Sequence, residues 1–140
     1  MAMLREIRGG EAAFDRFTAA LARAELPTDD LFDQPFRYFE HDGLAWGGIG
    51  SGEDALLRSV VVADEARGRG LGAAIINALA DEARLAGAKH LWLLTTSASR
   101  LFGKFGWRRV ERIMAPPQMA ASRQFTSLCP ASATLMVRTL

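Results

Sequence analysis

One cysteine, one tyrosine and almost no net charge set this 140-residue chain apart, and each scarcity removes a class of protein. A single thiol, Cys129, permits no internal disulfide and argues against cysteine-based metal ligation, so neither a disulfide scaffold nor a metal site is expected. Seventeen Lys and Arg against sixteen Asp and Glu leave a net charge of +1, too weak a field to point to nucleic acid. Only Arg67/Arg69 and Arg108/Arg109 stand close together. No apolar run approaches the roughly 20 residues that a membrane span requires. The opening Met1-Ala2-Met3-Leu4-Arg5-Glu6 leads into no apolar signal segment, and with the lone cysteine it suggests a cytoplasmic protein. The remainder is ordinary for a globular chain, with 49% hydrophobic and 24% charged residues. Residues 1–140 read as a single domain, without repeat, low-complexity tract or linker, and long enough for a real core.

Periodicity and punctuation order the chain. Met3 to Ile7 reads as a strand, broken by Gly9-Gly10. Glu11 to Ala24 carries Phe14, Phe17, Leu21 and Ala24 on one helical stripe. Pro27 through Pro35 is punctuation, with Pro-Thr-Asp-Asp suited to cap a short turn. Phe36 to Glu40 and Leu44 to Ser51 form two strands around a His41-Asp42-Gly43 turn. After Gly52-Glu53-Asp54, Ala55 to Val62 is a central strand and Leu71 to Ala86 a central helix. Leu71, Ile75, Ala78, Leu79 and Leu85 are its expected core face, and Gly87 its C-terminal cap. Lys89 to Thr95 is a strand, Ser97 to Lys104 a short helix and Trp107 to Met114 a strand. Pro116-Pro117 opens a short helix to about Arg123, and Ala133 to Leu140 is a last strand. The order is β-α-β-β-β-α-β-α-β-α-β, with open sheet edges that would suit pairing of two copies in a homodimer.

The most informative stretch joins the central strand to the central helix, Val60-Val61-Val62-Ala63-Asp64-Glu65-Ala66-Arg67-Gly68-Arg69-Gly70-Leu71-Gly72-Ala73. Glycines allow close approach to the backbone, and the first amides of a helix lack intrahelical partners and attract anions. A phosphate is the expected ligand. A P-loop fails, because Ala73 and Ala74 stand where Lys and Ser or Thr are needed. A dinucleotide fingerprint fits poorly. Five residues separate Val62 from Gly68, and the downstream window holds Lys89 and His90 rather than an acid. The ordinary alternative is a plain strand-to-helix turn with solvated arginines.

A third reading draws on three features. Arg67-x-x-Gly70-x-Gly72 resembles the Gln/Arg-x-x-Gly-x-Gly/Ala signature of the GNAT superfamily of N-acetyltransferases. The order of elements resembles that superfamily over nearly the whole chain. Leu101-Phe102-Gly103-Lys104-Phe105-Gly106-Trp107 resembles its Phe-Tyr-x-x-x-Gly-Phe segment. The resemblance implies an α+β fold with a mixed, mostly antiparallel sheet, splayed fourth and fifth strands and helices on both faces. It implies acetyl-CoA as co-substrate and no metal. Amides from Gly68, Arg69, Gly70, Leu71, Gly72 and Ala73, with Arg67, would take the pyrophosphate. The edge of Val60, Val61 and Val62 would pair with pantetheine, and Phe102 would lie against the cofactor. Leu93-Leu94-Thr95-Thr96, Phe102 to Trp107 and Phe125 to Ala133 also resemble a bacterial subgroup associated with arsenic resistance.

Acetyl transfer to an amine requires the thioester held, its carbonyl polarised, the amine neutral and the departing thiolate stabilised. A backbone amide near Val60 or Val62 would polarise the carbonyl. The tyrosine that often protonates the thiolate falls at Phe102, which has no proton to give, so a hydroxyl from Thr95, Thr96, Ser97 or Ser99 is one substitute. Release of CoA thiolate without an acid is another, and a binding role with little catalysis a third. No carboxylate lies between Ala55 and Val62 to act as base. Glu40, His41, Asp42 and Glu53 read as solvated turn residues and His90 as structural; a water relay would leave no trace. Arg58 alternates with Leu56 and Val60, and its guanidinium suits an acceptor carboxylate or a pairing with Glu53 or Asp54. Cys129, between Ser127 and Ser132, suits lining an acceptor pocket, binding a soft metalloid or accepting acetyl covalently, or else is a buried small hydrophobe. Trp46, Trp92 and Trp107 read as core. The expected function is direct acetyl transfer from acetyl-CoA to a small primary amine, an amino acid or its analogue being one class. The alternatives are a CoA-binding module with weak or no activity, and acetylation of a protein N-terminus or lysine.

Overall fold

A computed structural model describes residues 4–33, 35–96, 98–128 and 132–140. Its elements are β1 (Leu4–Ile7), α1 (Ala12–Arg23), β2 (Arg37–His41), β3 (Ala45–Ile49), β4 (Asp54–Val62), α2 (Leu71–Leu85), β5 (His90–Thr95), α3 (Ser99–Gly103), β6 (Arg108–Val110), α4 (Pro117–Ala120) and β7 (Thr134–Thr139). They form one seven-stranded sheet in the order β1-β2-β3-β4-β5-β7-β6. Every neighbouring pair is antiparallel except β4 and β5. This is the expected mixed sheet in the expected order of elements.

Local chemistry explains the turns. Asp42 and Gly43, at φ 53° and 65°, supply the two left-handed positions of the β2–β3 hairpin, and Leu44 N–H closes it on His41 C=O at 3.0 Å. β3 carries Gly48 because Tyr38 lies beside it: a Cβ there would sit 2.6 Å from two Tyr38 ring carbons.

The helices pack on both faces. α2 places Ile75, Ile76, Leu79, Ala80 and Ala83 against Phe39, Leu57, Leu91 and Leu93, with Trp107 completing the layer. On the opposite face α1 buries Phe14, Phe17 and Leu21 against Tyr38, Trp46 and Val61, and Met119 of α4 covers Leu56, Trp92 and Val137. Each such aliphatic side chain, fully buried, contributes about 1.5–3 kcal/mol.

Four expectations change. Leu85 is exposed, because the buried stripe of α2 advances by fours through 75, 79 and 83 and leaves residue 85 off it. The sixth strand ends at Val110, and Arg112–Met114 turns as a short 3-10 helix, with Ile113 and Met114 in solvent. Glu40 is no turn residue: it lies within β2, buried, and its Oε1 accepts bonds of 2.8 and 3.0 Å from Arg5 across the β1–β2 pair. Arg58 does not share a face with Val60. β4 holds one extra residue against β3, Trp46 pairing with Val61 but Gly48 with Arg58, and Ser59 absorbs it at φ 57°. Leu56, Arg58 and Val61 therefore face α1 and α4, while Leu57, Val60 and Val62 face α2.

Tyr38 is buried among Phe14, Phe17 and Phe36, and its hydroxyl donates to Leu31 C=O at 2.7 Å. Burial pushes its phenol well above the ordinary value of 10.0, opposed by the nearby Arg58 guanidinium. Above about pH 10 the unfolded chain ionises this group and the native one does not, so stability falls as pH rises. Because Tyr38 is the single tyrosine, the alkaline gain in absorbance at 295 nm carries one phenolate, read over the background of Trp46, Trp92 and Trp107. The phenolate signal is expected to appear with alkaline unfolding and not before it; ionisation of the folded protein near pH 10 would contradict this burial.

Candidate active site

β4 and β5 begin as paired parallel strands and then part. Asp54, Ala55 and Leu56 pair with His90, Leu91 and Trp92, and the register stops there although both strands run on. From Leu57 onward β4 pairs on its β3 side, while β5 pairs with β7 to Thr95. The parted edges open a cavity of about 790 Å³ walled by Leu57 to Val60 on one side and Leu93 to Thr96 on the other. An unpaired β4 edge is a row of backbone groups awaiting a partner.

α2 closes one end of this cavity with Gly70, Gly72 and Ala73. Gly70 takes the helix N-cap at φ 75°, a conformation that a side chain would strain, and no side chain caps the helix. Ala74 N–H makes the first helical bond, to Gly70 C=O, so the amides of Leu71, Gly72 and Ala73 have no partner inside the helix. The first turn carries no acid to satisfy them. In the loop before it, exposed Arg67 pairs with Asp64 at 3.2 Å, and Arg69 reaches Glu65 C=O at 3.3 Å. The arrangement is a helix N-terminus flanked by two solvent-facing cations, fit for an anion.

Of the residues expected here from the sequence, Val60, Gly70, Gly72, Ala73 and Phe102 line the cavity together with Thr95 and Arg58. Arg67, Gly68, Arg69 and Leu71 form the loop and helix start beside it. Val61 points away, into the aromatic layer under α1. Phe102 meets Trp107 edge-on, ring centroids 5.6 Å apart, at the position where an acid would stand. Thr95 lines the cavity with its Oγ1 accepting the Ala98 N–H at 3.0 Å, which leaves its own proton to donate. Trp46, Trp92 and Trp107 are all core. His90 begins β5 near Asp54 at 3.4 Å. Ser97 and Cys129 lie outside the described residues.

Arg58 is committed elsewhere than expected. Its two terminal nitrogens donate to Asp30 Oδ2 and Oδ1 at 2.8 and 2.6 Å, and its Nε donates to Ser59 Oγ at 2.9 Å. The guanidinium also lies over Phe36, 4.8 Å from the ring centre. Side-chain exposure is 1% for Arg58 and 3% for Asp30, so the pair is dry. The bidentate fork that an acceptor carboxylate would need is taken by Asp30, not by Glu53 or Asp54. Gln124 Nε2 adds a bond to Asp30 Oδ2 at 3.1 Å. Next to it, Arg123 donates to Asp33, holding that carboxyl below its usual value, and to Asp29 C=O at 2.7 Å. Asp30, Gln124 and Glu25, the last two also lining the cavity, are not marked by the sequence. Asp29-Asp30 read as turn punctuation, and nothing local marks Asp30 as the partner of a residue 28 positions away.

The comparisons with known proteins bear on this geometry. Residues 35–109, more than half of the chain, match the model of the acetyltransferase (GNAT) domain. The chain belongs to the GNAT acetyltransferase family. No curated protein matches the sequence. Among solved structures, Neisseria gonorrhoeae N-acetylglutamate synthase, complexed with coenzyme A and N-acetyl-glutamate, superposes with TM-score 0.79 at 17% identity. That likeness covers 100% of this chain but 36% of the synthase, so the chain spans about a third of that protein's length. A Mycobacterium tuberculosis protein in complex with CoA gives 0.67 at 16% identity over 99% of both chains. A Streptococcus agalactiae acetyltransferase gives 0.72 at 12% identity, over 99% of this chain and 98% of its own. At such identities the likeness is one of fold. It places the parted β4 and β5 in a GNAT sheet and lends no support to the arsenic-associated subgroup.

Removing one partner of a buried pair leaves a dry, uncompensated charge. Arg58→Met is therefore expected to cost about 3–5 kcal/mol in urea unfolding, and Asp30→Leu combined with Arg58→Met clearly less than either alone. Strict additivity of the two single changes would mean that the pair is not coupled.

Proposed function

We propose that this chain is an acetyl-CoA-dependent N-acetyltransferase that moves the acetyl group directly onto a small primary amine, within one domain spanning residues 1–140. The observation that carries the reading is the unpaired β4 edge running into an uncapped helix N-terminus, inside a fold of the GNAT family. The anion site and the strand edge lie in sequence along one ligand-length cleft, as a molecule with pyrophosphate at one end and an amide-bearing arm at the other would use them. We also propose a cytoplasmic location, which the lone cysteine supports; among the described residues no helix is long and apolar enough to cross a membrane.

In this reading, amides from Gly68 to Ala73, with Arg67 and Arg69, hold the pyrophosphate, and Val60 to Val62 offer main-chain groups to the pantetheine arm. Acetyl-CoA supplies an acyl carbon already activated as a thioester. A backbone N–H at the Ser59–Val60 bulge polarises its carbonyl, because the bulge turns main chain out of the β3–β4 ladder. The neutral acceptor nitrogen attacks that carbon, the C–S bond breaks, and the proton lost from nitrogen passes to water. Thr95 Oγ1 is one of the hydroxyls on this cleft, with those of Ser59 and Thr96, suited to meet the departing sulfur. Tyr38 is not, since its phenol is buried and bonded to Leu31.

One observation favours a second reading, a CoA-binding module with little turnover: the acid position is Phe102, and among the cavity-lining residues of β4 and β5 there is no carboxylate. An amino-acid acceptor draws support from the synthase likeness, but not from Arg58, whose fork is occupied.

Two measurements separate these. A Cβ at Gly72 would touch only Val62, at 3.8 Å, and an acid in the first turn favours the helix, so Gly72→Asp keeps the fold. Calorimetry is expected to show its affinity for CoA reduced at least tenfold with Tm unchanged; undiminished binding would remove the phosphate from α2. Thiol release from acetyl-CoA across a panel of amines tests turnover, and Phe102→Tyr is expected to raise kcat by roughly 10²-fold if the missing acid limits the rate. An unchanged rate in that variant would assign the slow step elsewhere.

A further inference from the structure

The cavity between β4 and β5 passes from the α2 face of the sheet to the α1 face, so a donor anchored at the α2 N-terminus presents its acyl end toward α1. Among the described residues lining it, Glu25 is the one carboxylate and Arg58 the one cation. Arg58 is neutralised by Asp30, which leaves Glu25 as the uncompensated charge. No hydrogen bond or ion pair to the Glu25 side chain exists among the described residues. Asp30, Asp33, Glu40 and Asp64 near the α1 end of the sheet each have one, while Asp15, Asp29 and Glu65, exposed like Glu25, do not and lie outside the cavity lining.

Glu25 is also held where a side chain is disfavoured. α1 ends in a Schellman motif, with Leu26 N–H bonded to Leu21 C=O at 2.9 Å and Glu25 N–H to Ala22 C=O at 3.1 Å. The residue between these bonds must be left-handed, and glycine is the usual occupant. Here it is Glu25, at φ 57°. Non-glycine residues kept in this region concentrate at functional sites. The C-terminal pole of the 12-residue α1 adds negative potential at the same place.

We propose that Glu25 is the acceptor-binding residue and that the acceptor is a cationic diamine, whose non-reacting ammonium ion-pairs with the Glu25 carboxylate while the other nitrogen is acetylated. The inference rests on the transferase reading for the second half of that sentence, but not for the first. It also selects against amines bearing a carboxylate, because the single cation that would have met one is buried in a pair.

The test compares three acceptors of equal chain length: propylamine, 1,3-diaminopropane and 3-aminopropionate. For the wild-type protein kcat/KM is expected to be highest for the diamine, by roughly tenfold over propylamine, and lowest for the aminocarboxylate. Glu25→Gln is expected to abolish the preference for the diamine through KM while CoA affinity by calorimetry stays constant, and Glu25→Asp to restore part of it. Glu25→Gly is expected to raise Tm while losing the same preference, a pairing that a merely structural role would not produce. An unchanged diamine-to-monoamine ratio in Glu25→Gln, or a wild-type preference for 3-aminopropionate, overturns the proposal. If no amine is acetylated, calorimetry of 1,3-diaminopropane with the CoA-loaded protein decides. Binding lost in Glu25→Gln retains the cation site and sinks the transferase reading, whereas no binding sinks both.

Discussion

One extra residue in β4 controls the site. Ser59 enters the left-handed region at a cost of about 1–2 kcal/mol, and the strand changes the face it presents on either side of it. Before the bulge, Leu56 and Arg58 look toward α1 and α4. After it, Val60 and Val62 look toward α2, and Val61 takes the α1 side. Without the insertion, a strict alternation would put Val60 beside Arg58 and bring Val61 under α2, and neither hydrophobic layer would close. The same irregularity coincides with the stretch where β4 no longer pairs with β5, so main chain is left facing a cavity rather than a neighbour.

The Arg58–Asp30 pair fastens the walls of that cavity to one another. Asp30 lies in the connection from α1 to β2, Arg58 in β4, and Gln124 in the segment before β7. Three distant pieces of chain thus meet on one carboxylate. Arg123, bonded to Asp33 and to Asp29 C=O, ties the first and third again nearer the surface. Taking two charges from water is expensive, and a pair of this kind is tolerated when both oxygens and most of the donors are satisfied, as they are here with Ser59, Phe36 and Gln124 in attendance. Its consequence for recognition is electrostatic: the cleft keeps a positive pole at the start of α2 and loses the cation at its other end.

Much of this was legible along the chain, because the signals are local. Asp42-Gly43 can hardly be anything but a hairpin turn, the glycines before Leu71 announce a helix start that admits an anion, and Gly87 follows α2 as a cap should, at φ 103°. The order of elements followed from strand and helix periods of ordinary length, and the sheet class from the resemblance to the GNAT superfamily. The failures share a cause. Alternation alone puts Arg58 on the face of Val60, because it has no way to show a bulge. Glu40 resembled a turn acid because its partner, Arg5, lies 35 residues away across a strand pair. Leu85 matched an apolar count but not the four-residue advance of the buried stripe.

The sequence by itself determined the loop chemistry and the alternation of strands and helices, since both depend on residues within a few positions of one another. Only the tertiary structure decided where the charges go. Whether Arg58 clamps a ligand or a neighbour depends on Asp30 arriving from another loop, and whether Glu25 is a stray surface acid or the charge of the cleft depends on α1 ending beside β4. Electrostatic roles follow distance in space and exclusion of water, and neither is written in the spacing of residues along the chain.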